Sequence, residues 1–510
     1  MGSINVHPQY TAMLPLWKKG SDCFEGEDAI KAAGTDYLKP TEGMILDGYG
    51  SSDTESLGNK NYDAYKSRAI FPDIYADAVE ASIGILHRND PVIELPEKMK
   101  DLMDEITLQG ESIPMLLRAI NAAQLTTGRI GILGDLMVKE GKARPHIVRY
   151  AGDTIVNWND TSIDFDANDT KLVVLDESRY VQQDDMSWEY QTMYRILALT
   201  VDGRLADQGQ YSSILLQEQE TYDLAALTYE KTPNMMGTTL KEIPFSFINS
   251  KDIATAPDQP PLNGLANLCL AIYRGEADYR QTLFMQGQET LVRIGANGGK
   301  DDESVRTGTG SRMDIPQGGD AKYIGISSSG LAEQRQALAN DYSRAMNKSG
   351  QVTDASSRSA ESGDALKIRM AAQAATLPVI AKAGANGLQK VLRSIAVWMG
   401  ANPEEVVVTP NLEFTEEDLN GQTLLQMVDA KAKGAVLSSQ SIHQYMQENG
   451  MTGMTFEEEK KLVDQETEEN LAKFNAGFND LDENGDPKDP EEETPDEDKG
   501  KKDEEEEEQE

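Results

Sequence analysis

The sequence predicts an α+β fold in which helical and β-rich stretches are segregated. Three observations predict it. Apolar residues recur at helical spacing in the N-terminal part and again after residue 262, as in "YADAVEASIGILHR". Between residues 129 and 250 the texture changes to short β-branched and aromatic runs broken by Gly, Asp and Asn, such as "RIGILGDLMV", "RPHIVRYAG", "DTIVNW" and "KLVVLDESRYV". A proline-rich break, "ATAPDQPPLNG", separates the two textures.

Taken in order, residues 9–33 and 61–88 read as helices, followed by helices near 97–107 and 112–127. Strand texture fills 129–250, with "VDGR" as a hairpin turn. After the break, "LANLCLAIYRGEADYRQTLFMQGQ" predicts a helix of about six turns, ~36 Å long. A small β insert follows, "TLVRIGA" and "AKYIGIS" around the loop "NGGKDDESVRTGTG", and then the helix "GLAEQRQALANDYSRAM". The two helices are expected side by side with the insert at their far end.

The polar stretch "NKSGQVTDASSRSAESG" leads into a long alanine-rich helix. Leu366, Met370, Leu377, Ala381, Leu388, Leu392 and Ile395 form one apolar stripe on it. Pro378 interrupts that helix and predicts a kink. "GANG" at 384–387 is either a second bend or a break. The same pattern also fits a helical hairpin packed in an ordinary core. "EEVVVTPNLEF" reads as a strand pair or one long strand. Further helices are predicted near 416–433, 439–449 and 455–474. Thr415 with Asp418 and Thr455 with Glu458 form capping-box-like starts for the first and last of them.

Length alone suggests roughly three domains. The net charge of −39 is uneven, since residues 481–510 hold 17 acids against 4 lysines, one leucine and no aromatic. That tail cannot bury enough apolar surface to offset the entropy of ordering, so disorder is expected there. Cys23 and Cys269 lie far apart in sequence, which fits a reducing compartment and excludes a disulfide scaffold. Neither a secretion signal nor an apolar run of membrane-spanning length is visible, so no membrane partner is expected.

Catalytic signatures are missing. "RIGANGGKDD" lacks the spacing of a phosphate-cradling loop, and "GRIGILGD" precedes no dinucleotide-binding helix. His7, His87, His146 and His443 are isolated, and no GxSxG occurs. Acidic pairs such as Asp184–Asp185 and Asp301–Asp302 read as solvated loops. No cofactor, no metal and no enzymatic activity are expected.

Three segments in order, "TTGRIGILGD" (126–135), "ARPHIVRYAGDTIVNWN" (143–159) and "SAESGDALKIR" (359–369), resemble the portal proteins of tailed bacteriophages. The resemblance is to a subgroup long classed as a domain of unknown function. The carrying residues are Gly128 to Asp135, Arg144–Pro145, Val156–Asn157–Trp158 and Ser362–Gly363–Asp364–Ala365–Leu366. "GDLM" stands where the family commonly has Asp-Pro.

The resemblance spans most of residues 9–475 and implies a portal-like division of the chain. Residues 1–260 would be an N-terminal helical region and β-rich wing, 261–288 a first stem helix, 289–329 a clip and 330–347 a second stem helix. Residues 348–361 would be a tunnel loop, 362–400 a kinked tunnel helix, 401–415 a returning wing strand, 416–475 a helical crown and 476–510 the acidic tail. The function implied is a ring, usually of twelve subunits, at a capsid vertex in the virion. Double-stranded DNA is packaged and ejected through such a ring, which is assembled in the host cytoplasm.

Implied partners are further copies of the chain, the major capsid protein, the terminase large subunit, a head–tail adaptor and, transiently and without sequence preference, the duplex. Expected DNA-channel residues are Arg344, Lys348, Ser356, Ser357 and Arg358, with Pro378 at the helix kink. Lys300, Arg306 and Arg312 are expected to dock terminase or adaptor. The competing reading pairs the channel cations with Asp341, Asp354 and Glu361. An acidic wall is compatible with conduction, because neutralising many phosphates would grip the cargo. The alternatives are another ring-forming head–tail adaptor, disfavoured by length, and an enzyme with an unrecognised site.

Overall fold

The computed structural model describes residues 5–139, 142–159, 170–206, 208–217, 228–229, 232–286, 290–294, 318–324, 330–349, 376–412, 421–434, 438–448 and 452–479. The chain divides into two compact units, Met1–Phe414 and Thr415–Glu510. Helix and strand are both well represented, and the fold is α+β.

The first unit begins with helices α1 (Pro8–Glu25), α2 (Glu27–Ala33), α3 (Glu42–Leu46), α4 (Leu57–Arg68) and α5 (Ile74–Leu86). The single helix expected over 61–88 is therefore two. The chain leaves the helix at Ala69, which is extended (φ −65°, ψ 142°), and Pro72 disfavours its resumption at Phe71. Strand β1 (Val92–Glu94) follows. The helix expected over 97–107 is only a 3-10 segment, Glu97–Leu102. Beyond it the chain turns back, and the Ile106 N–H donates to the Glu111 carbonyl at 2.9 Å. Helix α6 (Ile113–Thr126) starts at Ser112, whose hydroxyl accepts from the Met115 N–H.

Next come strands β2 (Arg129–Lys139), β3 (Lys142–Ala151), β4 (Ile155–Trp158), β5 (Leu172–Asp176), β6 (Arg179–Gln182), β7 (Trp188–Gln191), β8 (Met193–Val201), β9 (Arg204–Leu205), β10 (Gln210–Gln217) and β11 (Phe245–Asn249). They form an antiparallel sheet in the order β11-β2-β3 and a larger one in the order β10-β8-β5-β4, with β9 beside β8. The "VDGR" segment closes the β8–β9 hairpin. Asp202 and Gly203 both have positive φ, 50° and 74°, as a tight hairpin turn demands. Strands β6 and β7 stand apart as a two-stranded ribbon that exposes Tyr180, Trp188 and Tyr190.

Helix α7 (Asn263–Gln286), strands β12 (Thr290–Ile294) and β13 (Asp320–Ile324), helix α8 (Leu331–Ser349), helix α9 (Leu377–Trp398) and strand β14 (Val407–Thr409) complete the first unit. In the described part of "EEVVVTPNLEF", residues 404–412, the only strand is β14, three residues long, followed by Pro410 and paired antiparallel with β1.

Among the described residues two large hydrophobic cores fill this unit, beside a small cluster of Val156, Val174, Ile196, Ala198 and Tyr229. One gathers α1 to α5, α7 and α8 around Tyr75, Cys269 and Tyr273. The other packs α6 and the sheets around Ile132, Leu133, Leu197 and Phe245. Helix α9 joins them. Leu377, Ile380 and Ala381 belong to the first core, and Leu388, Val391, Leu392, Ile395 and Trp398 to the second. Each such buried side chain contributes about 1.5–3 kcal/mol. Of the predicted stripe, Leu377, Ala381, Leu388, Leu392 and Ile395 are all buried; Leu366 and Met370 lie outside the described residues.

The "GANG" segment does not break α9, which runs through it. Its glycines are contact points. A Cβ on Gly384 would sit 2.6 Å from Asn121 Nδ2 and 2.9 Å from Gln124 Oε1, and one on Gly387 would collide with Ile248. These residues are glycine because α6 and β11 press against the helix there.

The second unit contains α10 (Gly421–Ala432), α11 (Ser439–Glu448) and α12 (Phe456–Asn479). At the start of α12 the Glu458 carboxylate accepts from Thr455 N at 3.0 Å and Thr455 Oγ1 at 2.8 Å. Those bonds hold its pKa below the usual glutamate value. Thr415 and Asp418 lie outside the described residues.

Candidate functional site

The candidate site is the pair α7 and α8 with the β12–β13 hairpin between them. The helices run antiparallel: Gly264 at the start of α7 lies beneath Lys348 at the end of α8, and Gly275 beneath Leu338. The absent Cβ atoms let the helices approach closely. Glu276 is buried; it accepts from Arg280 Nε one turn on in α7 at 2.6 Å and, across the seam, from the Tyr342 hydroxyl at 3.4 Å. Burial, reinforced by Glu276, pushes the Tyr342 phenol up to about 12.

Helix α7 is tied to the N-terminal helical region. Tyr65 donates to Asp278 at 2.6 Å, and Arg274 Nε donates to the Tyr37 carbonyl at 2.8 Å. Arg68 lies 4.1 Å over the Phe284 ring. Helix α8 is the opposite case. Of its 19 residues only Leu338 and Ala345 are buried. The end of α7 nearest the hairpin is open too, with Leu283, Phe284 and Met285 at 42%, 42% and 45% exposure. The hairpin pairs Thr290–Ile294 with Asp320–Ile324 antiparallel.

Of the expected channel residues, Arg344 and Lys348 lie one turn apart on α8, both exposed. Arg344 Nη1 pairs with Asp341 Oδ1 at 3.4 Å, which is the competing reading for that residue. Ser356, Ser357 and Arg358, and Lys300, Arg306 and Arg312, lie outside the described residues. Pro378 occupies the first turn of α9 as described, after Thr376. The residues that precede it in the expected long helix, 351–375, lie outside the described set.

Two polar clusters were not visible to sequence reasoning. Arg195 on β8 donates through Nη1 to Asp135 at 2.8 Å and through Nε to Glu177 at 2.6 Å, and Glu177 also accepts from Tyr150 at 2.5 Å. Burial disfavours the Arg195 charge, but Glu177 with Tyr150 and Asp135 together offset it and raise the pKa. Burial, with Glu177 beside it, raises the Tyr150 phenol, and burial lowers His146, which sits opposite Asp135 in the β2–β3 ladder. Each carboxylate here is engaged, so the cluster joins two sheets rather than poising a base.

The second cluster is the fully buried Arg129, whose guanidinium lies 4.4 Å from the Trp158 ring and 4.6 Å from the Phe247 ring. Its Nη1 donates to the Thr255 carbonyl at 2.8 Å, and burial pushes its pKa down to about 9. Among the described residues no cluster of His, Cys, Asp and Glu is arranged to hold a metal ion, and no helix is long and apolar enough to cross a membrane.

Residues 261–399, from the start of α7 to the end of α9, match a family model described as "Domain of unknown function (DUF4055)". No curated protein matches the chain. Solved structures to which it is similar include "Virion of native gene transfer agent (GTA) particle", at 12% identity over 78% of this chain and 96% of that chain, with a TM-score of 0.34. Two others are "Neck of native GTA particle computed with C12 symmetry" (12%, 79% and 97%, 0.37) and "Neck of empty GTA particle computed with C6 symmetry" (13%, 80% and 98%, 0.36). TM-scores this far below 0.5 do not establish a common fold.

Proposed function

We propose that the chain is the subunit of a portal-type ring of a tailed phage or prophage. The ring, of about twelve copies, sits at a capsid vertex and conducts double-stranded DNA inward during packaging and outward during ejection. Terminase and then a head–tail adaptor dock on the hairpin between α7 and α8. On this reading α7 and α8 are the stem helices, β12 and β13 the clip, the sheets of residues 129–249 the wing, and α10 to α12 the crown. The segment 348–361, with Ser356, Ser357 and Arg358, faces the duplex, and Pro378 sets the direction of the helix behind it.

The observation that carries the reading is the half-naked helix pair. The end of α7 exposes Leu283, Phe284 and Met285, apolar surface that neighbouring copies would cover, and α8 beside it buries only two of its 19 residues. The sequence motifs supply the order in which wing, stem and tunnel segments follow one another. The enzyme alternative has no support from the cluster of titratable groups around Arg195, whose carboxylates are already engaged.

Negative-stain images and light scattering of the purified chain test the proposal. A closed ring with a central opening is expected, near 670 kDa for about twelve chains of 56.0 kDa. A folded protein that stays monomeric at high concentration, with capsid protein present, would overturn it.

A further inference from the structure

Helix α9 carries no carboxylate, in a chain whose net charge is −39. Its only charges are Lys382, Lys390 and Arg393, and all lie on the side that the two cores leave open. Lys382, Asn386 and Lys390 are exposed and Arg393 is half-buried. Steps of four, four and three residues set them in a line about 16 Å long. Val379 and Val397 extend the line at its two ends, at 43% and 36% exposure. Arg393 reaches Glu404 at 3.8 Å, and Glu242 lies nearby on Ser394. Lys382 and Lys390 have no ion pair among the described residues.

Helix α5 is the mirror case. Asp73 at its N-cap, Asp77 and Glu80 are exposed about a turn apart, and the helix holds no cation. None of the three has an ion pair among the described residues.

We propose that the Lys382–Lys390–Arg393 line of α9 is an interface that receives the α5 carboxylates of a second copy of this chain. The inference rests on the ring reading above and names the surfaces through which neighbours meet. Charge selects the occupant. A cation-only line set against itself across a two-fold axis repels, whereas set against Asp73, Asp77 and Glu80 of the next copy it attracts. Passed from copy to copy, a contact of α9 on α5 is head-to-tail, the kind that closes into rings. DNA fits the line less well. Phosphates offer nothing to the exposed valines at its ends, and so acidic a chain repels a duplex.

The test compares three full-length variants with the unaltered chain: Lys382→Glu/Lys390→Glu, Asp77→Lys/Glu80→Lys, and all four changes together. Ring fraction is read by light scattering at low salt, melting temperature confirms folding, and a gel-shift assay with a short duplex reads DNA binding. Each two-site reversal should leave melting unchanged and cut the ring fraction about tenfold or more. The four-site variant has the same complementarity with signs exchanged and should recover it. Raising salt should weaken the unaltered ring.

The proposal falls if the α9 reversal assembles like the unaltered chain, whether or not it loses duplex binding. It also falls if the four-site variant stays apart. An unaltered chain that never forms a ring overturns the ring reading itself, and that result is distinct from a ring indifferent to the charge reversals.

Discussion

Arg195 shows how one side chain can hold two sheets in register. Its guanidinium reaches Asp135 on β2 and Glu177 beside β5, and all three side chains keep only 25%, 16% and 19% of their exposure. Removing the cation would strand two half-buried carboxylates. The desolvation of those carboxylates, rather than the lost attraction, sets the cost. Arg195→Ala is therefore expected to cost about 2–3 kcal/mol in urea unfolding. Arg195→Met with Glu177→Gln, which removes a charge from each side, should cost less than the single change. A loss under about 0.5 kcal/mol for Arg195→Ala would mean the cluster is a surface pair of little consequence.

At the scale of the element, α9 is decided by contact rather than propensity. Gly387 lies in the middle of the helix, where alanine would be favoured by about 1 kcal/mol. Its Cβ, however, would meet the fully buried Ile248 and lie 3.2 Å from Ser246 Oγ. Overpacking of that kind costs about 1–3 kcal/mol, and Ile248 sits in a strand that cannot retreat. Gly387→Ala should therefore lower stability despite the better helix former, by an amount readable in the denaturant midpoint. A gain in stability would show that β11 yields more easily than its burial suggests. The paired helices α7 and α8 make the same point: Gly264 and Gly275 are small where the partner helix passes over them.

For the whole molecule, the buried phenols and thiols set the response to alkali. Burial holds Cys23 and Cys269 up at about 12, against an ordinary value of 9.0. Burial also holds Tyr62, Tyr229, Tyr273 and Tyr342 at about 12, against 10.0. From pH 9 to about 12 the unfolded chain releases these protons while the folded chain keeps them. The unfolded state then binds fewer protons, so stability falls as pH rises through that window. Arg129 acts in the opposite sense, since its folded pKa of about 9 lies below its ordinary 12.5. One group does not outweigh six. The melting temperature should decline steadily above pH 9, and both thiols should resist alkylation at pH 8 until the chain unfolds. A flat melting profile to pH 11 would contradict the burial of these groups.

Much of the architecture was written locally. The 3.6-residue periodicity of α7 and α8, the alternation of the strands in 129–249, the turn chemistry of Asp202–Gly203 and the cap made by Thr455 and Glu458 are decided by neighbours in sequence, so they were legible there. Tertiary structure decided the rest. Periodicity reports that one face of α9 is buried but not that its two ends serve different cores. The glycines of "GANG" were ambiguous because a contact glycine and a hinge glycine read alike until the opposing Asn121, Gln124 and Ile248 are in place. Arg195, Asp135 and Glu177 meet only because sheet register carries residues far apart in the chain to one spot. A sequence fixes its own propensities within a few turns, while contacts between distant segments depend on how those segments dock.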